Sequence, residues 1–142
     1  MSYNRDSDEA LGKSLSVYQE RKPKQNSIQR YFRQKKPCSN CPFRREGAIP
    51  LAEGRIKGIV DELMENDHSS FSCHKTVHGK NGGEFDDNGD YHPSGTEAMC
   101  AGAAAYLMRV GRPTIGMRLA FLTKDVSPSN WDHAMDDIID VI

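Results

Sequence analysis

Four cysteines are the residues of this chain with the most distinctive chemistry. Cys38 and Cys41 form a C-x-x-C pair, and Cys73 and Cys100 follow singly. A C-x-x-C turn lets two sulfurs face one ion, and four thiolates complete the ligand set of a tetrahedral zinc or a cubane iron–sulfur cluster. The alternative is four unrelated small apolar residues or two disulfides. We expect all four cysteines to be metal ligands.

The spacing of the cysteines slightly favours a [4Fe–4S] cluster over Zn²⁺. Structural zinc sites often use two C-x-x-C knuckles, and this chain has one. Phe43 and Phe71 lie next to cysteines in the sequence, where they would shield a cluster from water. His74 follows Cys73 and is expected to hydrogen-bond to the site, with replacement of Cys73 or Cys100 as a ligand being the alternative role.

A second pattern precedes the cysteines, at residues 25–32. It reads Q-x-x-I-x-x-Y-F. One helical turn would bring Ile28, Tyr31 and Phe32 to one side as an apolar plug and leave Gln25 to bind a separate small pocket. The pattern resembles a PIP box, the peptide that binds ring-shaped DNA sliding clamps of the PCNA type. The resemblance implies a clamp partner in replication, repair or clamp-dependent transcription.

Basic residues surround this pattern, although the net charge of the chain is only −1. Arg30, Arg33, Lys35 and Lys36 are the candidate contacts to nucleic-acid phosphates. Two alternatives remain open for the segment. It is a plain basic tail whose aromatic residues stack on bases, or its apolar residues dock on the protein's own core.

The periodicity of apolar residues predicts four short helices. They cover residues 52–66, 96–110 and 114–124, and a last helix begins near Ser127 with Pro128 in its first position. Ser94 and Glu97 predict a capping box for the second helix. The apolar positions of the first helix are Ile56, Ile59, Val60, Leu63 and Met64. The positions expected to be buried in the last two helices are Ile115, Leu119 and Leu122, then Trp131, Met135, Ile138 and Ile142.

A long glycine-rich loop separates the first two helices, at residues 66–95, with room for a short hairpin. Its run of Asp86, Asn88 and Asp90 is predicted to be a turn rather than a calcium loop, because no glutamate stands at the closing position. The predicted fold is therefore mostly α: an irregular helical domain at residues 37–142, organised around a four-cysteine metal centre. A flexible basic arm at residues 1–36 precedes it.

Composition excludes some classes of protein. The mean hydropathy is −0.70 and no apolar run is long enough to cross a bilayer, so no membrane partner is expected. The first residues lack the basic and apolar regions of a secretion signal. We expect a cytoplasmic protein with reduced cysteines.

The sequence does not favour an enzyme. It has no convincing nucleophile and base, no glycine-rich phosphate loop and no paired carboxylates, and four metal-bound thiols leave none to react. The alternative from another class is a metal-dependent nuclease. Its candidate residues are His68, His74, His78, His92 and the carboxylates at 86–90.

Three short blocks together resemble a known family. They read P-C-S-N-C-P-F-R at 37–44, F-S-C-H at 71–74 and C-A-G at 100–102, with R-L-A downstream at 118–120. In this order they are similar to an uncharacterised family of small phage and actinobacterial proteins, over about residues 37–122. The resemblance implies a shared four-cysteine metal centre and a phage origin, which would place the protein in the host cytoplasm, and it implies no reaction.

Overall fold

The computed structural model describes residues 25–142, and the part of the predicted arm before residue 25 lies outside the described residues. The fold is mostly helical, as predicted, with one small antiparallel sheet. In chain order the elements are α1 (Ser27–Tyr31), α2 (Arg55–Glu65), α3 (His74–Val77), β1 (Glu84–Phe85), β2 (Tyr91–His92), α4 (Ala101–Arg109), α5 (Ile115–Leu122) and a 3-10 helix (Pro128–Asp137).

Helix α4 forms the centre of the core and packs against the 3-10 helix. Ala103, Ala104 and Ala105 are fully buried, and so are Tyr106 and Leu107. A helix that is apolar on all sides is covered on all sides. Small alanine side chains let neighbouring backbone approach closely, so α4 can serve as the axis of a small domain.

The amphipathic helix predicted at residues 52–66 is confirmed as α2. It begins after Gly54, whose φ of 79° lies in the left-handed region that glycine adopts at little cost. Ile59, Val60 and Leu63 are buried on the face that the apolar spacing indicated. A regular apolar stripe is sufficient to define such a helix.

The helix predicted at residues 96–110 begins later than expected. Ser94 and Glu97 do interact, since the Glu97 carboxylate accepts bonds from the backbone N–H and the hydroxyl of Ser94. They do so in an irregular loop, and α4 starts only at Ala101 with Cys100 as its N-cap. The prediction of a capping box was wrong because this carboxylate also binds the Gly95 N–H and the Tyr91 hydroxyl, which belong to the loop.

Helix α5 turns a different face inward from the one predicted. Leu119 and Leu122 are 53% and 79% exposed, whereas Met117 and Ala120 are buried. Thr114, the N-cap, is itself buried, and its hydroxyl oxygen accepts a bond from the Met117 N–H at 3.1 Å. The buried cap therefore directs the 114–117–120 stripe to the core instead of the leucine stripe.

The last helix starts at the predicted cap, Ser127, with proline in its first turn, but it is a 3-10 helix. Three residues per turn place Trp131 and Ala134 on one face, and both are buried. Ile138 is buried as predicted, while Met135 is half-buried and Ile142 is 57% exposed. The prediction used the α-helical period of 3.6, which explains the misplaced positions.

The long loop contains the short hairpin that its composition allowed, with Glu84 opposite His92 and Phe85 opposite Tyr91. The predicted turn between the strands is confirmed. The Asp86 carboxylate accepts bonds from the N–H groups of Asn88 and Asp90, both at 2.9 Å. Such an Asx turn uses a carboxylate oxygen for backbone rather than for a cation.

Residues 25–36, called the docked segment below, pack against the helical domain. Phe32 is only 6% exposed, and its ring meets that of Trp131 at 6.4 Å, edge to face. The Trp131 Nε1–H donates to the Gln34 carbonyl at 2.9 Å. Because this segment closes one side of the core, the structure joins it to the domain predicted to begin at residue 37.

Among residues 25–142, no helix has the length and apolar character that crossing a membrane requires.

Candidate metal centre

The first two cysteines lie in one tight turn. The Cys41 N–H donates to the Cys38 carbonyl at 3.1 Å, and the Arg44 N–H donates to the Cys41 carbonyl at 3.0 Å. The Arg44 guanidinium also reaches the Cys38 carbonyl, at 3.4 Å. The turn is therefore closed by backbone bonds and a side chain, which places both sulfurs beside the core.

Cys73 and Cys100 are brought together by a short antiparallel pairing that the sequence did not predict. Ser72 and Met99 form an isolated β-bridge. On either side of it, the Cys73 N–H donates to the Ala98 carbonyl at 2.6 Å, and the Cys100 N–H donates to the Phe71 carbonyl at 2.8 Å. Two pieces of three residues each are too short to show a strand pattern, so sequence periodicity gave no signal for this contact.

The structure places two pairs of possible ligand atoms in contact. The sulfurs of Cys41 and Cys100 lie 3.4 Å apart, and the Cys38 sulfur lies 3.2 Å from His74 Nε2. Two sulfurs on a tetrahedral zinc ion lie about 3.8 Å apart, as Zn–S bonds of about 2.3 Å require. The Cys41–Cys100 separation is close to that value, and both side chains are buried.

Cys73 is also part of this neighbourhood. The hydrogen bond with Cys41 and burial raise the pKa of Cys100 most, burial raises that of Cys38 most, and the negative charge of Cys73 adds to both shifts. Cys73 itself is buried, and its backbone lies beside that of Cys100 across the Ser72–Met99 bridge. The four predicted cysteines come from three separate segments, and the structure brings the sulfurs of two of them, Cys41 and Cys100, into contact.

The four sulfurs differ in how readily they lose a proton. A hydrogen bond from the Cys100 thiol lowers the pKa of Cys41 to about 7, against the opposing effect of burial. The same contact and burial raise the pKa of Cys100, and burial raises that of Cys38. Neighbouring buried thiols do not all ionise together unless a cation balances the negative charge of their thiolates.

Gly102 explains why the third sequence block reads C-A-G. A Cβ atom at this position would lie 2.5 Å from the Cys41 sulfur and 2.8 Å from the Phe43 Cβ. The first turn of α4 can therefore approach the cysteine turn only without a side chain at residue 102. Cys100, as N-cap, receives the Ala103 N–H on its sulfur at 3.5 Å.

Aromatic side chains cover this region. Phe43 is fully buried, and its ring centre lies 6.0 Å from that of Phe71 and 5.8 Å from that of Tyr106. The first contact is edge to face and the second is tilted, and together these rings fill space next to the cysteine turn. Cys38 is the cysteine left half-exposed.

The other candidate ligands are placed elsewhere. His92 Nε2 binds the Asp86 carboxylate at 2.8 Å, His78 stacks on Phe85, and His68 is exposed. Within residues 25–142, no group of three or more His, Cys, Asp or Glu side chains that could hold a metal ion is found, and all four cysteines are free. The placed atoms therefore form two close pairs, Cys41 with Cys100 and Cys38 with His74.

The predicted clamp-binding residues lie in the docked segment. Gln25 is exposed, and Ile28 and Tyr31 are half-buried against the core that Phe32 enters. The Tyr31 hydroxyl contacts the hydroxyls of Ser70 and Ser72. Of the predicted phosphate contacts, Arg30, Lys35 and Lys36 are exposed and Arg33 is half-buried.

Comparison of the chain with protein-family models, with curated proteins and with solved structures found no significant match.

Proposed function

We propose that this chain is a metal protein in which Cys38, Cys41, Cys73 and Cys100 hold one metal centre. The contact between the Cys41 and Cys100 sulfurs, 3.4 Å apart in the core, is the observation that carries the proposal. These residues are 59 positions apart in the chain, and two buried sulfurs in contact supply a pair of soft ligands for one metal ion.

The chemistry of the residues fits a soft metal. Thiolates suit zinc and iron–sulfur clusters, whereas carboxylate-rich sites suit magnesium or calcium. A [4Fe–4S] cluster is the proposed cofactor, and a single Zn²⁺ is the second candidate. Phe43, Phe71 and Tyr106 supply the dry surroundings that either group requires.

The proposed role of the centre is structural or electron-transferring. A bound cluster would supply one-electron chemistry, and a bound zinc would join three segments of chain. Four thiolates fill the coordination positions and leave none for activating water. His74 would bond to the Cys38 sulfur and tune its charge, since burial lowers the pKa of His74 and keeps the ring neutral.

The alternative of a metal-dependent nuclease has less support. The histidine and carboxylate that do meet, His92 and Asp86, lie in an exposed hairpin and are joined to each other. The Asp86 oxygens are already occupied by backbone N–H groups and by this ring.

The test is the metal and sulfide content of the full chain, purified without oxygen. Cys41→Ser and Cys73→Ser should lose most of the bound metal, and His92→Ala, which removes a histidine from the exposed hairpin, should retain it. About four irons and four sulfides per chain would identify a cluster, and one zinc would identify the simpler site. A folded protein that contains neither metal would overturn the proposal, with circular dichroism reporting the fold.

We also propose that a PCNA-type sliding clamp binds the docked segment after it leaves the core. The supporting observation is α1 itself: a helical turn forms at Ser27–Tyr31, with Asn26 and Gln29 in a reciprocal capping box. A clamp would have to compete with the core for Phe32. The apparent affinity for the clamp equals the intrinsic affinity multiplied by the fraction of molecules whose docked segment has left the core.

A peptide of residues 20–36 is therefore expected to bind the clamp roughly a hundredfold more tightly than the full chain. Ile28→Ala in the peptide should abolish binding, because it removes one prong of the plug without removing charge. Isothermal titration calorimetry measures both affinities. A peptide with no affinity for the clamp would leave Phe32 as a core residue only and refute this second proposal.

A further inference from the structure

A basic cleft lies on the surface beside the docked segment. Arg33, Lys75 and Lys80 line it, together with the turn at residues 79–82 and Thr96. Its volume is about 200 Å³, and none of its lining residues is acidic. Three cations from two distant parts of the chain therefore face one small concave space.

The turn that carries Lys80 is built tightly. A Cβ at Gly79 would lie 2.2 Å from the Lys75 carbonyl oxygen, and one at Gly82 would lie 2.0 Å from the Val77 carbonyl oxygen. Only glycine at both positions permits the chain to fold back so closely after α3. The Gly82 N–H closes the turn on the Gly79 carbonyl at 2.9 Å.

A second set of bonds fixes the turn to the opposite wall. The Asn81 carbonyl accepts bonds from the hydroxyls of Ser94 and Thr96, at 2.7 and 2.6 Å. The backbone next to Lys80 is thus held on both sides. The lysine stands at the tip of a turn whose shape does not depend on the lysine itself.

The three cations keep their charge available. Arg33 donates to the carbonyls of Arg30 and Thr96, and Lys75 Nζ donates to the Ser39 hydroxyl at 2.8 Å. These partners are neutral. Within residues 25–142, neither these two side chains nor Lys80 is paired with a carboxylate. Converging positive charges without a counter-charge attract an external anion.

We propose that this cleft binds the phosphates of a nucleic-acid backbone. The cleft is smaller than the cavities that enclose whole drug-sized ligands, and its size suits a single phosphate group. Exposed Arg30, Lys35 and Lys36 continue the positive charge along the docked segment. A series of phosphates, rather than one free ion, matches charges that extend beyond one cleft.

This inference goes beyond the metal centre and does not depend on it. It adds Lys75 and Lys80, from the glycine-rich loop, to the basic residues that the sequence indicated. Burial raises the pKa of Cys38 and the charge of Lys75, which follows His74, offsets part of that rise, so removing Lys75 would affect two sites. Lys80 lines the cleft and is not next to a cysteine or to His74, so it is the better position to test.

The test measures binding of the full chain to a short fluorescein-labelled single-stranded DNA by anisotropy over a series of salt concentrations. Lys80→Gln should weaken binding roughly fivefold at low salt and reduce the slope of log K against log salt by about 0.7. Arg33→Gln combined with it should weaken binding further. Lys57→Gln is the matched control, because it removes the same charge from the exposed face of α2.

Equal affinities for Lys80→Gln and Lys57→Gln would overturn the proposal, as would wild-type protein that does not bind the DNA. Vesicles of phosphatidylcholine and phosphatidylserine provide a further arm. Binding to these vesicles that is tighter than binding to the DNA, and that is lost in Lys80→Gln, would assign the cleft to lipid phosphates and refute the nucleic-acid ligand. Metal content of each variant, measured in parallel, should stay at the wild-type value.

Discussion

Gly102 gives the sharpest test of how the cysteines are brought together. The change Gly102→Ala adds one methyl group between α4 and the cysteine turn, at 2.5 Å from the Cys41 sulfur and 2.8 Å from the Phe43 Cβ. Neither neighbour can move freely, since Cys41 is 1% exposed and Phe43 is fully buried. Either α4 or the turn at residues 38–41 must shift to accept the methyl group.

The magnitude follows from two opposing effects. Overpacking a well-filled core costs about 1–3 kcal/mol, and contacts this short with immobile atoms belong at the upper end. Replacing glycine by alanine in a helix favours folding by about 1 kcal/mol. The expected net loss is about 2 kcal/mol in the free energy of unfolding, or roughly 8 °C in Tm for a domain of this size.

Gly58→Ala is the matched control for this change. Gly58 lies inside α2, and nothing approaches its Cβ position within 4 Å. The same substitution should therefore stabilise the protein by up to about 1 kcal/mol, because only the helix propensity acts. Urea unfolding followed by circular dichroism measures both variants, with an unchanged m-value as the check that only stability differs.

The Gly102 variant should also bind less metal, because the Cys41 sulfur is displaced from Cys100. Wild-type stability together with wild-type metal content in Gly102→Ala would refute the reasoning, since the methyl group could then be accommodated without moving the cysteine turn. Loss of stability in Gly58→Ala as well would show that the helices, rather than the contact at Cys41, are sensitive to this substitution.

Further predictions concern the core, a helix cap and the dependence of stability on pH. Phe32→Ala should lower the free energy of unfolding by about 3–4 kcal/mol, whereas Phe85→Ala, which removes a ring that is 55% exposed, should lower it by less than about 1 kcal/mol. Equal values for the two variants in urea unfolding would show that Phe32 is not part of the core. Thr114→Ala should cost about 1 kcal/mol by leaving the Met117 N–H without its cap, and Thr114→Ser should restore most of it in the same assay. Loss of hydration raises the pKa of Glu97, but hydrogen bonds from Ser94 and Tyr91 outweigh this effect and hold the pKa at about 2. The stabilisation by the Glu97 carboxylate is therefore present above pH 4.5 and is lost towards pH 2. Between these two pH values, Tm should fall less in Glu97→Gln than in the wild type.

The elements that could be predicted from the sequence are those whose own residues determine them. The apolar stripe of α2 and the Ser127–Pro128 start of the last helix are local signals, and the structure confirms both. The start of α4 was misplaced because Glu97 finds its partners in the hairpin rather than in a helix. The inward face of α5 depends on a buried threonine, and no periodicity in the helix itself reveals that choice.

The candidate site shows the same division. The cysteines could be selected by residue type and spacing, whereas the pairing of Ser72 with Met99 that aligns two of them joins positions far apart in the chain. The contact between Cys38 and His74 follows from that pairing and from α3, so the sequence could place His74 near the site without naming the sulfur that it meets. The place of Phe32 could not be predicted either, because the apolar pattern at residues 25–32 is equally suited to binding a partner and to packing on the protein's own core.

The docked segment and the cysteines are physically joined. The Met99 N–H, one residue before Cys100, donates to the Tyr31 carbonyl at 2.8 Å, so α1 is bonded to the pairing that aligns Cys73 and Cys100. A metal that holds these cysteines would stabilise the surface on which Tyr31 and Phe32 rest. Because coupling between two sites is reciprocal, a clamp that removes the segment would in turn weaken metal binding. In the proposed metal protein, release of the segment and loss of the metal therefore favour each other, and the metal-free chain should bind the clamp more tightly than the metal-bound chain.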